Sequence, residues 1–195
     1  MQRVYLLLAT QLAVTVGISA AMIMHPTWQA WTLNHTWPMV VSAIGSIGFM
    51  IGAMVMRRKY PWNLVFLSLF TLAESWLIGV ISSVVDTNTV INAFVITTIV
   101  FVGLSVLALQ TKYDFTSWAP YLGMALFALL GLGFVMIFTN STAMELTYSF
   151  IAVILFSVFI LVDTQMIMNR FHPEDEIPAA IELYLDIINL FVNIL

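Results

Sequence analysis

Cysteine is missing from the chain altogether, which excludes disulfides, thiolate metal sites and thiol nucleophiles. Charge is nearly as scarce. Asp, Glu, Lys and Arg make up 8% of the 195 residues, against about a quarter in soluble globular domains. The formal net charge is -4, from six Lys plus Arg and ten Asp plus Glu. Six scattered cations form no basic footprint, so nucleic acid is excluded as a partner. Neither lysine, Lys59 or Lys112, lies within an apolar run, which removes a retinal-type Schiff base. What remains is 62% apolar, too much for a water-facing surface, and the lipid bilayer is the solvent this composition implies.

A helix needs about 20 mostly apolar residues to cross the hydrocarbon core. The polar interruptions leave seven such runs: Val4–Met24, Met39–Met56, Trp62–Val85, Val90–Leu109, Ala119–Phe138, Ala143–Met168 and Ile177–Leu195. The expected fold is an all-α integral membrane protein, one domain of seven transmembrane helices over residues 1–195. Arg3 ahead of the first run suggests a signal peptide, but the run exceeds the 7 to 15 residues of an h-region.

Short loops rich in Lys and Arg stay cytosolic. Arg3 precedes the first run, Arg57, Arg58 and Lys59 follow the second, Lys112 follows the fourth and Arg170 the sixth. All six fall on one side, which places the N-terminus in the cytosol and the C-terminus outside. Two glycosylation sequons, at Asn34 and Asn140, fall in loops assigned outside. Trp28, Trp31 and Trp37 crowd the outer interface, while Tyr60, Trp62, Tyr113 and Trp118 mark the inner one, as aromatic belts do.

An ionisable residue at membrane depth costs at least about 2.5 to 3.5 kcal/mol to insert and is a functional candidate by default. Three stand out: Glu74, Asp163 and Asp186. Asp163 lies seven residues before Arg170, and Asp186 eight beyond Pro178. At 1.5 Å per residue both sit roughly 10 to 12 Å inside the cytosolic edge. Being symmetric about the turn at His172–Asp175, they meet in an antiparallel hairpin. Two close carboxyls in a low dielectric share a proton and titrate as one coupled pair, which makes a pH sensor. Glu182, Asp186, Asn189 and Asn193 recur at helical spacing, so the last helix is expected to line a polar pathway. Glu74, with Ser68, Thr71 and Ser75 nearby, either continues that pathway outward as a cation ligand or proton acceptor, or is a protonated side chain making one interhelical hydrogen bond. The loop acids Glu174, Asp175 and Glu176 read as a solvated turn that can also concentrate cations at its mouth.

Leu161-Val162-Asp163-Thr164-Gln165-Met166 and Ile181-Glu182-Leu183-Tyr184-Leu185-Asp186-Ile187-Ile188 resemble the C-terminal hallmark of the transmembrane Bax-inhibitor motif family. Tyr60-Pro61-Trp62-Asn63-Leu64 and Gln110-Thr111-Lys112-Tyr113-Asp114-Phe115-Thr116-Ser117 are similar to its lifeguard branch. The resemblance implies seven helices with the C-terminal helix central. It also implies a pH-sensitive calcium leak, and in eukaryotes protection against apoptosis. Its paired aspartates match Asp163 and Asp186, and a basic partner falls on Arg57 or Arg58. The sequence departs from the family at three points. An acid midway along the second helix of some bacterial relatives is absent, the nearest residue being Ser46. The long cytosolic N-terminal tail of lifeguard proteins is missing. The chain stops at Leu195, as a truncated or unusually short version would.

The expected function is therefore a pH-sensitive calcium-permeable leak channel that modulates calcium stores and cell death. Its expected location is the endoplasmic reticulum, Golgi or vacuole of a eukaryote, or the plasma membrane of a bacterium. No cofactor is implied. Calcium enters as the permeant ion beside protons, with Asp163 and Asp186 as its candidate ligands, since hard cations take oxygen donors. Two alternatives compete. One is a non-conducting scaffold binding apoptosis-regulating membrane proteins. The other is an intramembrane aspartyl protease, but the Tyr-Asp and Gly-x-Gly-Asp motifs of those enzymes are absent, so no enzyme is expected.

Overall fold

The computed structural model describes residues 2–139, 141–169, 172 and 175–195. Asn140, Arg170 and Glu174, named above, lie outside the described residues. Among the described residues eight α-helices run in order: α1 Gln2–Met24, α2 Pro26–Asn34, α3 Trp37–Val55, α4 Trp62–Ser83, α5 Thr87–Gln110, α6 Ala119–Met136, α7 Thr142–Asn169 and α8 Glu176–Ile194. A 3₁₀ turn over Phe115–Trp118 precedes α6, and the described residues contain no strand. All but α2 belong to helical stretches long and apolar enough to cross a membrane, and their ends agree with the runs read from the sequence to within three residues.

Local chemistry sets the boundaries. Proline occupies the first turn of α2, α3 and α6, where its missing N–H is no loss and its fixed φ suits a helix. Asp86 caps α5, its Oδ2 accepting from the Asn88 and Thr89 amides at 3.0 and 3.3 Å. Asp114 caps the 3₁₀ turn through the Thr116 amide at 2.9 Å. The one helix the hydropathy reading does not contain is α2. Its nine residues are too few to span and lie in a loop that the charge pattern assigns outside.

Burial differs sharply among the spans. Within its most apolar window α8 is 61% buried and α7 50%, against 11% for the span containing α6. Phe127, Ile137 and Phe138 are each more than 70% exposed. Such a surface would aggregate in water, but in hydrocarbon it matches the solvent.

The chain divides into two compact units, residues 1–91 with 171–184, and residues 92–170 with 185–195. In the first, α1 and α4 run parallel at a constant offset of 60 residues. Gln11 donates to Thr71 at 3.1 Å, and the Thr15 and Ser75 hydroxyls meet at 2.9 Å. One turn further on, Gly79 lies against Ser19, where a Cβ would make ordinary van der Waals contact 3.6 Å from the Ser19 Cα. The antiparallel pair α3 and α4 closes over Gly52, where a Cβ would stand 2.5 Å from the Phe66 ring. The first half of α8 joins in parallel with α1, through Arg3 and Glu176 at 3.6 Å and through Tyr184, whose hydroxyl lies 2.8 Å from Thr15. In the second unit α6 and α7 pair, with Tyr148 seated over Gly133. Gln165 of α7 holds the segment ahead of α6: its Oε1 accepts from the Phe115 amide at 2.7 Å and its Nε2 donates to the Tyr113 carbonyl at 2.9 Å.

Candidate functional site

Asp163 lies near the end of α7 and Asp186 in the second half of α8, both within the second unit. Their carboxyl groups stand within hydrogen-bonding reach of one another. Asp186 is buried and Asp163 half-buried, so water does little to separate their charges. One proton held between two carboxyl oxygens makes the contact attractive, whereas two ionised carboxylates at that separation repel.

The rest of the expected stripe on α8 is placed as follows. Asn189 and Asn193 are half-buried. Each amide nitrogen donates to the carbonyl four residues earlier, Leu185 and Asn189 respectively, at 2.8 Å. Glu182, one turn before Asp186, is exposed. Of the two candidate basic partners, Arg57 pairs with Asp175 at 3.1 Å, and both side chains are more than a third exposed. Arg58 is exposed as well.

No group of three or more His, Cys, Asp or Glu that could hold a metal occurs among the described residues. Calcium takes six to eight oxygen ligands, and two carboxyls offer at most four.

Glu74, on α4 in the first unit, is half-buried and within hydrogen-bonding reach of Ser46 on α3. Beside it runs the feature sequence reasoning missed, a ladder of buried polar side chains between α1, α4 and the start of α8. The Thr15 hydroxyl donates to the Gln11 carbonyl at 2.9 Å and meets both Ser75 at 2.9 Å and Tyr184 at 2.8 Å. One hydrogen and two lone pairs are then all in use, with Ser75 and Tyr184 as the donors. Gln11 Oε1, Ser19 Oγ and Ser82 Oγ are buried without a protein partner, the situation in which a buried water ordinarily serves. The spacing of four from Gln11 to Thr15 to Ser19, matched by Thr71, Ser75 and Gly79, was the available signal.

Over residues 1–195 the chain matches the family described as inhibitor of apoptosis-promoting Bax1. It is 36% identical over 195 residues to protein lifeguard 4 of Mus musculus, covering all of this chain and 82% of the relative. Identity to Bax inhibitor 1 of Schizosaccharomyces pombe is 31% over 196 residues, again the whole chain and 74% of the relative. The Golgi anti-apoptotic protein of vaccinia virus is 32% identical, with 82% of its length covered. A full-length family match and relatives above 30% identity over the entire chain lead to one statement: this protein is a multi-pass membrane member of the Bax-inhibitor family.

Proposed function

We propose that the chain is a pH-sensitive, calcium-permeable leak that acts on a calcium store and through it on cell death. The observation that carries this reading is the contact between the Asp163 and Asp186 carboxyls. Protonated, the pair shares a hydrogen bond and holds α7 against α8. Ionised, it repels and draws in a hard cation. The amide nitrogens of Asn189 and Asn193 are spent on their own helix, which leaves their side-chain oxygens as donors for an ion. Glu182, exposed at the start of this stripe, attracts cations to it, and Glu74 serves as a further carboxylate in the first unit. The names of the relatives support an anti-apoptotic role and an internal membrane such as the Golgi. The positive-inside pattern supports a cytosolic N-terminus.

The test is calcium flux from loaded liposomes at pH 6 and pH 8, with wild type, Asp163→Asn and Asp186→Asn. The wild type is expected to change its flux between the two pH values and both variants to lose most of that change. Equal, pH-dependent flux in all three defeats the gating role. Cell protection that survives in variants without flux turns the reading toward a non-conducting scaffold. Because the chain has no cysteine, Lys59→Cys and Ser141→Cys report sidedness directly. An impermeant maleimide applied from the non-cytosolic side is expected to label only position 141.

A further inference from the structure

Gln165 holds the segment ahead of α6 with both ends of one side-chain amide, accepting from the Phe115 amide at 2.7 Å and donating to the Tyr113 carbonyl at 2.9 Å. The side chain is 3% exposed. Two bonds from a single planar group fix both the height of the segment on α7 and its orientation. Gln165 follows Asp163 by two residues, which at 3.6 residues per turn is about 200° around the helix and roughly 3 Å along it. Asp163 meets Asp186 of α8. Helix α7 is therefore gripped on opposite sides at one level, by a carboxyl contact and by an amide clamp.

The clamped segment is stiff. Asp114 Oδ1 accepts from both the amide and the hydroxyl of Thr116, and Thr111 Oγ1 accepts from the Tyr113 amide at 3.2 Å. The Phe115 ring lies against those of Tyr113 and Trp118, with centroids 4.7 and 5.7 Å away. Repulsion between two ionised carboxylates pushes α7 away from α8 and towards this segment. A backstop that does not yield keeps the carboxyls where the second charge is costly. The titratable groups on the elements around this part of α7 are Asp186 of α8, with Glu182 one turn before it, Lys112, Tyr113 and Asp114 of the segment, and Tyr121 of α6. Of these only Asp186 is buried; the others are exposed to solvent.

From this arrangement we infer that Gln165 is the positioning residue of the carboxyl pair. By holding residues 111–118 against the far side of α7 it stops Asp163 from withdrawing from Asp186, and so sets the pH at which their shared proton is lost. The inference rests on the pairing that carries the proposed function, and extends it to a segment outside α7 and α8. Moving two unit charges from about 4 Å to about 5 or 6 Å apart, at an effective dielectric constant of about 20, relieves enough repulsion to lower the pH of proton loss by about 0.6 to 1 unit.

The experiment is a pH titration, by infrared difference spectroscopy of the full chain in nanodiscs, of the protonated-carboxyl band that Asp163→Asn removes. Gln165→Leu is expected to lower its midpoint by about 0.6 to 1 unit. Phe115→Pro deletes the amide donor from the other partner. Proline fits there, because Asp114 before it is extended, with ψ 99°, and the first position of a helical turn favours it. That variant is expected to lower the midpoint by less. Gln11→Leu, which breaks the buried bond to Thr71 in the first unit, costs stability of the same kind and leaves the midpoint in place. Helicity and a monodisperse elution profile show that each variant is folded. A midpoint unmoved or raised in both clamp variants overturns the inference, as does an equal shift in Gln11→Leu. Absence of any band that Asp163→Asn removes overturns the inference together with the pairing. The expected shifts, found beside a calcium flux that ignores pH, defeat the leak and uphold the clamp.

Discussion

Removing one hydroxyl tests whether the polar ladder holds the first unit together. Tyr184 is completely buried, its ring edge-on to Phe70 at 5.8 Å and 76°, and its hydroxyl 2.8 Å from Thr15 Oγ1. Tyr184→Phe keeps the ring contact and deletes the donor, leaving one lone pair of Thr15 unserved. Hydrogen bonds between membrane helices are worth about 0.6 kcal/mol on average and about 1.7 at most. The expected loss lies in that interval, toward its upper end because Thr15 is 4% exposed. Tyr184→Ala also removes the ring and is expected to cost about 3 to 5 kcal/mol. The assay is reversible unfolding in mixed micelles at rising detergent fraction, followed by helicity. A double-mutant cycle with Thr15→Val isolates the pair, and a coupling of at least 0.6 kcal/mol is expected. A coupling below about 0.3 kcal/mol, indistinguishable from additivity, would refute the claim that this contact fastens α8 to α1.

Three further outcomes follow from single contacts. Gln165→Leu orphans the Phe115 amide and the Tyr113 carbonyl and is expected to cost about 1 to 3 kcal/mol; hydrogen exchange at the Phe115 amide should accelerate by at least tenfold. Gly52→Ala drives a methyl to 2.5 Å from the Phe66 ring, and overpacking of that kind costs about 1 to 3 kcal/mol; Phe66→Leu in the same chain should restore part of the unfolding midpoint. Arg57→Ala breaks an ion pair whose side chains are 41% and 36% exposed, so its effect on unfolding should stay below about 1 kcal/mol and vanish in high salt.

The seven spans were legible because a run of about 20 apolar residues has little alternative in lipid. The meeting of Asp163 and Asp186 was legible for a geometric reason, since residues symmetric about a tight turn reach the same depth. Helix α2 was not, because nine residues containing two threonines, a glutamine and an asparagine carry no spanning signal, and only Pro26 marks their start. The Thr15 junction was hidden differently. Gln11, Thr15 and Ser75 are isolated polar residues inside apolar helices, and nothing in one helix announces which other helix holds the partner. Glu182 and Asp186 share a helical face in sequence, yet one is exposed and the other buried, because periodicity gives direction around a helix and not what packs at each level along it.

The Thr15 junction also sets a schedule. Its bond to Tyr184 spans 169 residues, and at about 5 to 20 residues per second the ribosome needs roughly 10 to 30 s to make that stretch. For about the last hundred of those residues, roughly 5 to 20 s, α1 and α4 are both synthesised with their shared hydroxyl still lacking its third partner. The first half of the protein is thus among the last parts to mature, and its completion waits on translation of the final helix.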